Sequence, residues 1–148
     1  MLNDFLNDEY FMKQALAEAR KAFDRDEVPV GVVIVANGLI IARAHNLTET
    51  LNDVTAHAEM QAITAAANTI GSKYLEGCTI YVTLEPCLMC AGAIFWSQAD
   101  RLVFGANDPK RGYLKCKEPV LHPKTIVISG ILANESEIML KAFFKKKR

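Results

Sequence analysis

The sequence carries no net charge, seventeen basic residues balancing seventeen acidic ones, and this balance argues against a general nucleic-acid coat protein. No stretch approaches the roughly 18 uninterrupted apolar residues of a membrane span. Met1-Leu2-Asn3-Asp4 lacks the basic region and apolar run of a secretion signal. The expectation is a cytoplasmic protein with no membrane association. Four cysteines in such a compartment speak for reduced thiols or a metal rather than disulfides. The sequence has no repeats, linkers or low-complexity segments, so its 148 residues are expected to form one domain spanning 1–148, long enough to bury about 68–70% of the unfolded surface. An apolar share of 51% and a charged share of 23% exclude a disordered or fibrous class.

The charges that are present lie unevenly. Acids crowd the first 27 residues, and the chain ends Lys141-Ala-Phe-Phe-Lys-Lys-Lys-Arg148. That end offers either a local positive field to phosphates or a solvated helix end whose cations suit the helix dipole.

Hydrophobic spacing lays out alternating elements. Met12, Leu16, Ala19 and Phe23 draw one stripe on a helix over 8–23. Residues 28–36 are nearly unbroken and β-branched, as in an interior strand covered on both faces. Asn37-Gly38 is the dipeptide of a two-residue type I′ hairpin, with 39–44 returning beside the first strand. A polar loop to about 55 precedes a helix over 56–68 that ends at Ile70-Gly71. A strand over 78–84 leads into Glu85-Pro86, and proline suits the first position of a helix. That helix runs to about 96 or 97 and is followed by a strand over 101–105. The long connection 106–124 permits a parallel edge strand at 125–129. Asn134-x-x-Glu137 reads as a capping box opening a last helix, with Ile138, Leu140, Phe143 and Phe144 as its packing residues. The pattern is α/β, with helices on both faces of one sheet.

Two short stretches carry the chemistry: His57-Ala58-Glu59 and Pro86-Cys87-Leu88-Met89-Cys90. One histidine and a Cys-x-x-Cys are three ligands for tetrahedral Zn²⁺, and the missing fourth ligand leaves a corner for water. Glu59 is the candidate proton carrier beside that corner, because Zn²⁺ brings the pKa of bound water to about 7. Residues two apart on a regular helix point about 200° apart, so His57 and Glu59 converge only if His57 sits at the non-helical edge of the first turn. Cys87 and Cys90 are expected in the opening turn of the next helix, on one face. The positive ends of both helices then favour thiolate at the metal. The combination H-x-E with P-C-x-x-C is a described signature of zinc nucleobase deaminases, matched here as a pattern.

At these residues the sequence resembles the cytidine deaminase-like superfamily, and within it the bacterial tRNA adenosine deaminases of the TadA type. The resemblance rests on Glu27-Val-Pro-Val-Gly31, Ala44-His-Asn46, Thr55-Ala-His-Ala-Glu59, residues 81–93, Val103-Phe-Gly-Ala106 with Asp108, and Gly130-Ile-Leu132. It implies a three-layer α/β/α fold with a five-stranded mixed sheet, a homodimer, and hydrolytic conversion of the wobble adenosine in a tRNA anticodon stem-loop to inosine. It implies one Zn²⁺ per chain on His57, Cys87 and Cys90, with Glu59 shuttling protons without being a ligand. Asn46 would hydrogen-bond the purine, Val30 would line its pocket, the backbone at Ala58 would meet the base edge, and Asp108 would bind substrate. Residues 113–119 and Ser97-Gln98-Ala99 depart from the usual pattern; both are expected to reach either nucleic acid or a dimer neighbour.

Other readings stand beside these. The same zinc site serves a deaminase of guanine, cytosine or cytidine, and the cysteine pair alone would also suit a buried thiol pair or a non-catalytic zinc-stabilised binding module. Glu85 reads as a local hydrogen-bond anchor, Cys78 as a small core residue and Cys116 as a bystander thiol. His45 is expected at the surface, and Phe95 with Trp96 in core or dimer packing.

Overall fold

The computed structural model describes residues 2–148, with side chains from residue 7 onward. Helix α1 (Leu2–Asp24) precedes strands β1 (Gly31–Ala36) and β2 (Leu39–His45). Helix α2 (Ala58–Ile70), strand β3 (Cys78–Leu84), helix α3 (Leu88–Ser97) and strand β4 (Arg101–Ala106) follow. A 3-10 turn at Tyr113–Lys115 leads to strand β5 (Ile126–Ile128) and helix α4 (Ala133–Lys146). The sheet order is β2-β1-β3-β4-β5. The β1 strand pairs antiparallel with both β2 and β3, whereas β3–β4 and β4–β5 are parallel.

Alternation along interior strands divides the core into two layers. Val32, Ile34, Ile80, Val82, Leu102 and Phe104 face α2 and α3. Val33, Val35, Tyr81 and Val103 face α1, meeting Met12 and Ala15. Every residue from Gly31 to Val35 is buried, because β1 has strands on both edges and helices on both faces. The buried stripe of α1 is Met12, Ala15, Ala19 and Ala22. Its small residues bring the helix down onto β1 so closely that a Cβ at Gly31 would lie 2.0 Å from the Ala15 carbonyl. The expected stripe members Leu16 and Phe23 are only half-buried. The β1–β2 hairpin turns on Asn37 and Gly38, with φ of 52° and 76°, as a type I′ turn requires.

The termini of all four helices differ from expectation; α1 begins at Leu2, six residues before its predicted start. Helix α2 begins at Ala58, two residues later than predicted, with His57 as its extended N-cap. Pro86 lies outside α3, which begins at Leu88, two residues later than predicted, and Cys87 is the extended N-cap with φ −70° and ψ 171°; its thiol lies beside His57. The capping box at Asn134 does not form. Leu132 caps α4 in the left-handed conformation, because Gly130 N–H bonds the Gly105 carbonyl and buried Ile131 anchors the turn. Of the packing residues expected on α4, Phe143 is buried while Ile138 and Phe144 are 68% and 46% exposed.

Candidate active site

The β2–α2–β3 and β3–α3–β4 connections deliver the N-termini of α2 and α3 to one end of the sheet. Both N-caps are metal-type side chains, and neither makes a side-chain cap hydrogen bond. Their donor atoms point elsewhere. His57 Nδ1 lies 3.6 Å from Cys87 Sγ and 3.5 Å from Cys90 Sγ, and the three donor atoms lie within 4.8 Å of one another. Zn–S bonds near 2.3 Å and Zn–N bonds near 2.0 Å at tetrahedral angles place N and S about 3.6 Å apart. The donor set therefore fits tetrahedral zinc in chemistry and in spacing. Among the described residues this is the one group of three or more His, Cys, Asp or Glu side chains gathered closely enough to hold a metal ion. Three protein donors, with no fourth, match the catalytic rather than the closed structural type.

Electrostatics favour thiolate at Cys87. A hydrogen bond from Cys90, reinforced by His57, brings the Cys87 thiol down to about 4. Cys90 is pushed up by the same shared proton and by burial. His57 is raised by its bond to Cys87. Glu59 is buried within the first turn of α2, and desolvation pushes its carboxyl up to about 7. A carboxyl poised there gains and loses a proton near neutrality, which is the property a proton carrier needs.

Beside the donors lies a cavity of about 1110 Å³, lined by His57, Cys87 and Glu59 together with Val30, Asn46 and Asp108. Asn46 is buried, and its Oδ1 accepts the Ala58 N–H at 2.8 Å. The backbone donor expected at the base edge is thus engaged by Asn46. Asp108 lies at the mouth, where its Oδ1 accepts the N–H groups of Lys110 and Arg111. Sequence reading did not single out Val28 or Thr48, which also line the cavity.

Two buried carboxylates shape the walls. Glu27 accepts hydrogen bonds from Thr48 Oγ1, Glu49 N–H, and the N–H and Oγ1 of Thr50. Glu85 accepts Asn107 Nδ2, Asp108 N–H and Leu114 N–H, as a local anchor should. Gln61 Nε2 donates to the carbonyls of His45 and Ala56, closing the loop ahead of His57. His45 is not a surface residue. Its Nδ1 lies 3.3 Å from Glu18 Oε1 in a half-buried contact, a pairing 27 residues apart in sequence that no local pattern announces.

The cavity lining is also cationic: it includes Lys110 and Arg111 beside Asp108, and Lys141, Lys145, Lys147 and Arg148 with Phe144 from the C-terminal end of the chain. Of the departing triplet, Ser97 and Ala99 are buried inside this chain, so neither reaches a partner and Gln98 alone of the three is accessible. Trp96 is 73% exposed, which removes it from the core.

Comparison with known proteins places the chain. The family model of the cytidine and deoxycytidylate deaminase zinc-binding region matches residues 6–106. The tRNA-specific adenosine deaminase of Bacillus subtilis (strain 168) is 49% identical over 146 residues, covering 95% of this chain and 91% of that protein. A chain solved in structural studies of A-to-I editing by tRNA:A34 deaminases superposes with a TM-score of 0.83 at 47% identity, covering 88% of this chain and 99% of that one. The guanine deaminase of Bacillus subtilis matches with a TM-score of 0.64 and 40% identity over 67% of this chain and 64% of its own. With a zinc-type donor triad backed by a buried carboxyl, and with likeness along nearly its whole length, the chain belongs to the zinc-binding cytidine and deoxycytidylate deaminase family, in its tRNA-specific adenosine deaminase branch.

Proposed function

We propose that the chain, as a single domain, catalyses the hydrolytic deamination of adenosine to inosine at the wobble position of tRNA. The carrying observation is that one cavity joins the His57, Cys87 and Glu59 side chains to a rim of six basic residues. A deaminase of free bases has no use for such a rim, whereas an anticodon stem-loop brings phosphates to it. Unpaired loop bases can be splayed into a pocket at little unstacking cost.

Zinc would be held by His57, Cys87 and Cys90, where it would supply the Lewis acidity that lowers the pKa of water. Glu59 takes one proton from the attacking water and gives it to the purine ring, then takes the remaining proton from the new C6 hydroxyl and delivers it to the amine, which departs as ammonia as the C6 carbonyl forms. Its burial keeps this traffic from bulk solvent. Asn46 presents its amide Nδ2 to the purine, because Oδ1 is committed to Ala58 N–H; Ala58 serves the base edge by fixing that amide. Val30 supplies an apolar wall. Asp108 meets the flipped nucleotide at the mouth.

The face of α3 exposes Leu88, Met89 and Trp96, at 55%, 39% and 73%. Large apolar side chains left exposed on one helix mark an interface, and we assign it to a homodimer. Among the described residues no helix is long and apolar enough to cross a membrane; a tRNA substrate supports a cytoplasmic location.

The test is incubation of zinc-loaded protein with an anticodon stem-loop carrying wobble adenosine, alongside guanine and cytidine. Inosine in the RNA with both small molecules untouched is expected. Ammonia from a small molecule with unaltered RNA overturns the proposal.

A further inference from the structure

We propose that Glu85 is a positioning residue: it fastens the 107–114 segment of the cavity mouth to the turn that carries Cys87, and so presets the surface on which RNA lands.

The carboxylate is 4% exposed and has no ion pair among the described residues, so its burial depends on hydrogen bonds. All three of its donors lie in one segment. Oε1 accepts Asn107 Nδ2 at 3.2 Å and Asp108 N–H at 3.0 Å, and Oε2 accepts Leu114 N–H at 2.9 Å. Gly112 supplies an independent observation. A Cβ there would lie 1.8 Å from Glu85 Oε2, so the segment wraps its backbone around the carboxylate. Gly112 N–H also bonds the Asp108 carbonyl, and Tyr113 N–H bonds the Pro86 carbonyl. Gly112 and Cys87 form an isolated bridge. Asp108, Lys110 and Arg111 thereby stand at a fixed reach from the metal ligands.

The consequence follows from acceptor chemistry. A carboxylate serves three N–H donors with two acceptor oxygens, and glutamine replaces one oxygen with a donor. Glu85→Gln therefore breaks at least one bond and opposes two donors, loosening the segment while leaving His57, Glu59, Cys87 and Cys90 in place. Gly112→Ala reaches the same bonds from the other side, since its methyl group must displace the carboxylate.

The inference rests on the RNA reading of the cavity, and its test separates the two. Steady-state kinetics on the wobble-adenosine stem-loop are measured for the zinc-loaded wild type, E85Q and G112A, with hydrogen exchange across 107–114 and zinc content. Expected for both variants is a KM raised about tenfold against a change in kcat of less than about threefold, faster exchange confined to this segment, and unchanged zinc. Faster exchange with unchanged KM, loss of zinc, or a fall in kcat without a rise in KM each overturns the role. Wild-type protein that leaves the stem-loop unaltered overturns the functional reading instead, and the exchange data still decide whether Glu85 orders the mouth.

Discussion

Asn46 and Ala58 are joined by a 2.8 Å hydrogen bond in which the backbone N–H donates to Oδ1, so the end of the β2 loop is tied to the first turn of α2. The bond orients the asparagine, leaving Nδ2 without a hydrogen-bond partner among the described residues. Asn46→Ala should lower stability by about 1–3 kcal/mol by orphaning a buried N–H, and lower kcat/KM at least tenfold. Asn46→Asp restores the acceptor without the donor. It should recover part of the stability and none of the activity, measured by urea unfolding and by stem-loop deamination.

Glu59 is expected to be dispensable for the metal and necessary for turnover. Glu59→Ala should cut kcat by roughly 10²–10⁴-fold, the range of a positioned acid–base group, with zinc near one per chain by elemental analysis. Loss of zinc together with activity would make the residue a structural support.

Metal and fold are coupled through the two N-caps. Removing zinc with a chelator, or replacing Cys87 by Ala, should lower the melting temperature by several degrees and abolish activity, because metal binding energy is also folding energy. Readdition of zinc should restore the chelated wild type and leave Cys87→Ala unchanged.

Acid should weaken the fold partly through Glu27. Burial pushes its carboxyl up, but bonds from Thr50, Glu49 and Thr48 outweigh that effect and hold it below the ordinary value of 4.5. The unfolded chain then binds the proton more readily. The stability contribution is therefore complete above about pH 4.5 and is lost as pH falls through the depressed folded value. Urea unfolding of wild type and Glu27→Gln at pH 7, 5 and 3.5 should show a stability gap that narrows on acidification. A gap independent of pH would contradict this.

The cationic rim should give RNA binding a strong salt dependence. Lys110→Ala and Lys145→Ala should each reduce the slope of log Kd against log salt by about 0.7 to 0.9, with little change in zinc content. An unchanged slope would place those phosphates elsewhere.

The zinc donors were legible in the sequence because three ligand types at short spacing constrain one another, and the strands because β-branched runs are local signals. The need for His57 and Glu59 to converge, together with helix geometry, predicts His57 at an extended helix edge, and its φ of −71° and ψ of 152° agree. What was illegible depended on distant partners. The Glu18–His45 contact, the Glu27 staple across 21 to 23 residues and the outward turn of Phe144 arise only once the sheet is assembled. Pro86 misled for a different reason. Proline favours the first helical position, but the metal turn required Cys87 to stay extended, and the helix began later.

The central claim is that water, activated at the donor triad with Glu59 moving its proton, replaces the adenine amine. Its most direct test is deamination of the wobble-adenosine stem-loop in ¹⁸O-labelled water, read by mass spectrometry of the released nucleosides. Inosine carrying one ¹⁸O, with one ammonia released per inosine, by the zinc-loaded wild type and neither product by Glu59→Ala, is the predicted result. Unlabelled inosine, or undiminished turnover by Glu59→Ala, would contradict it.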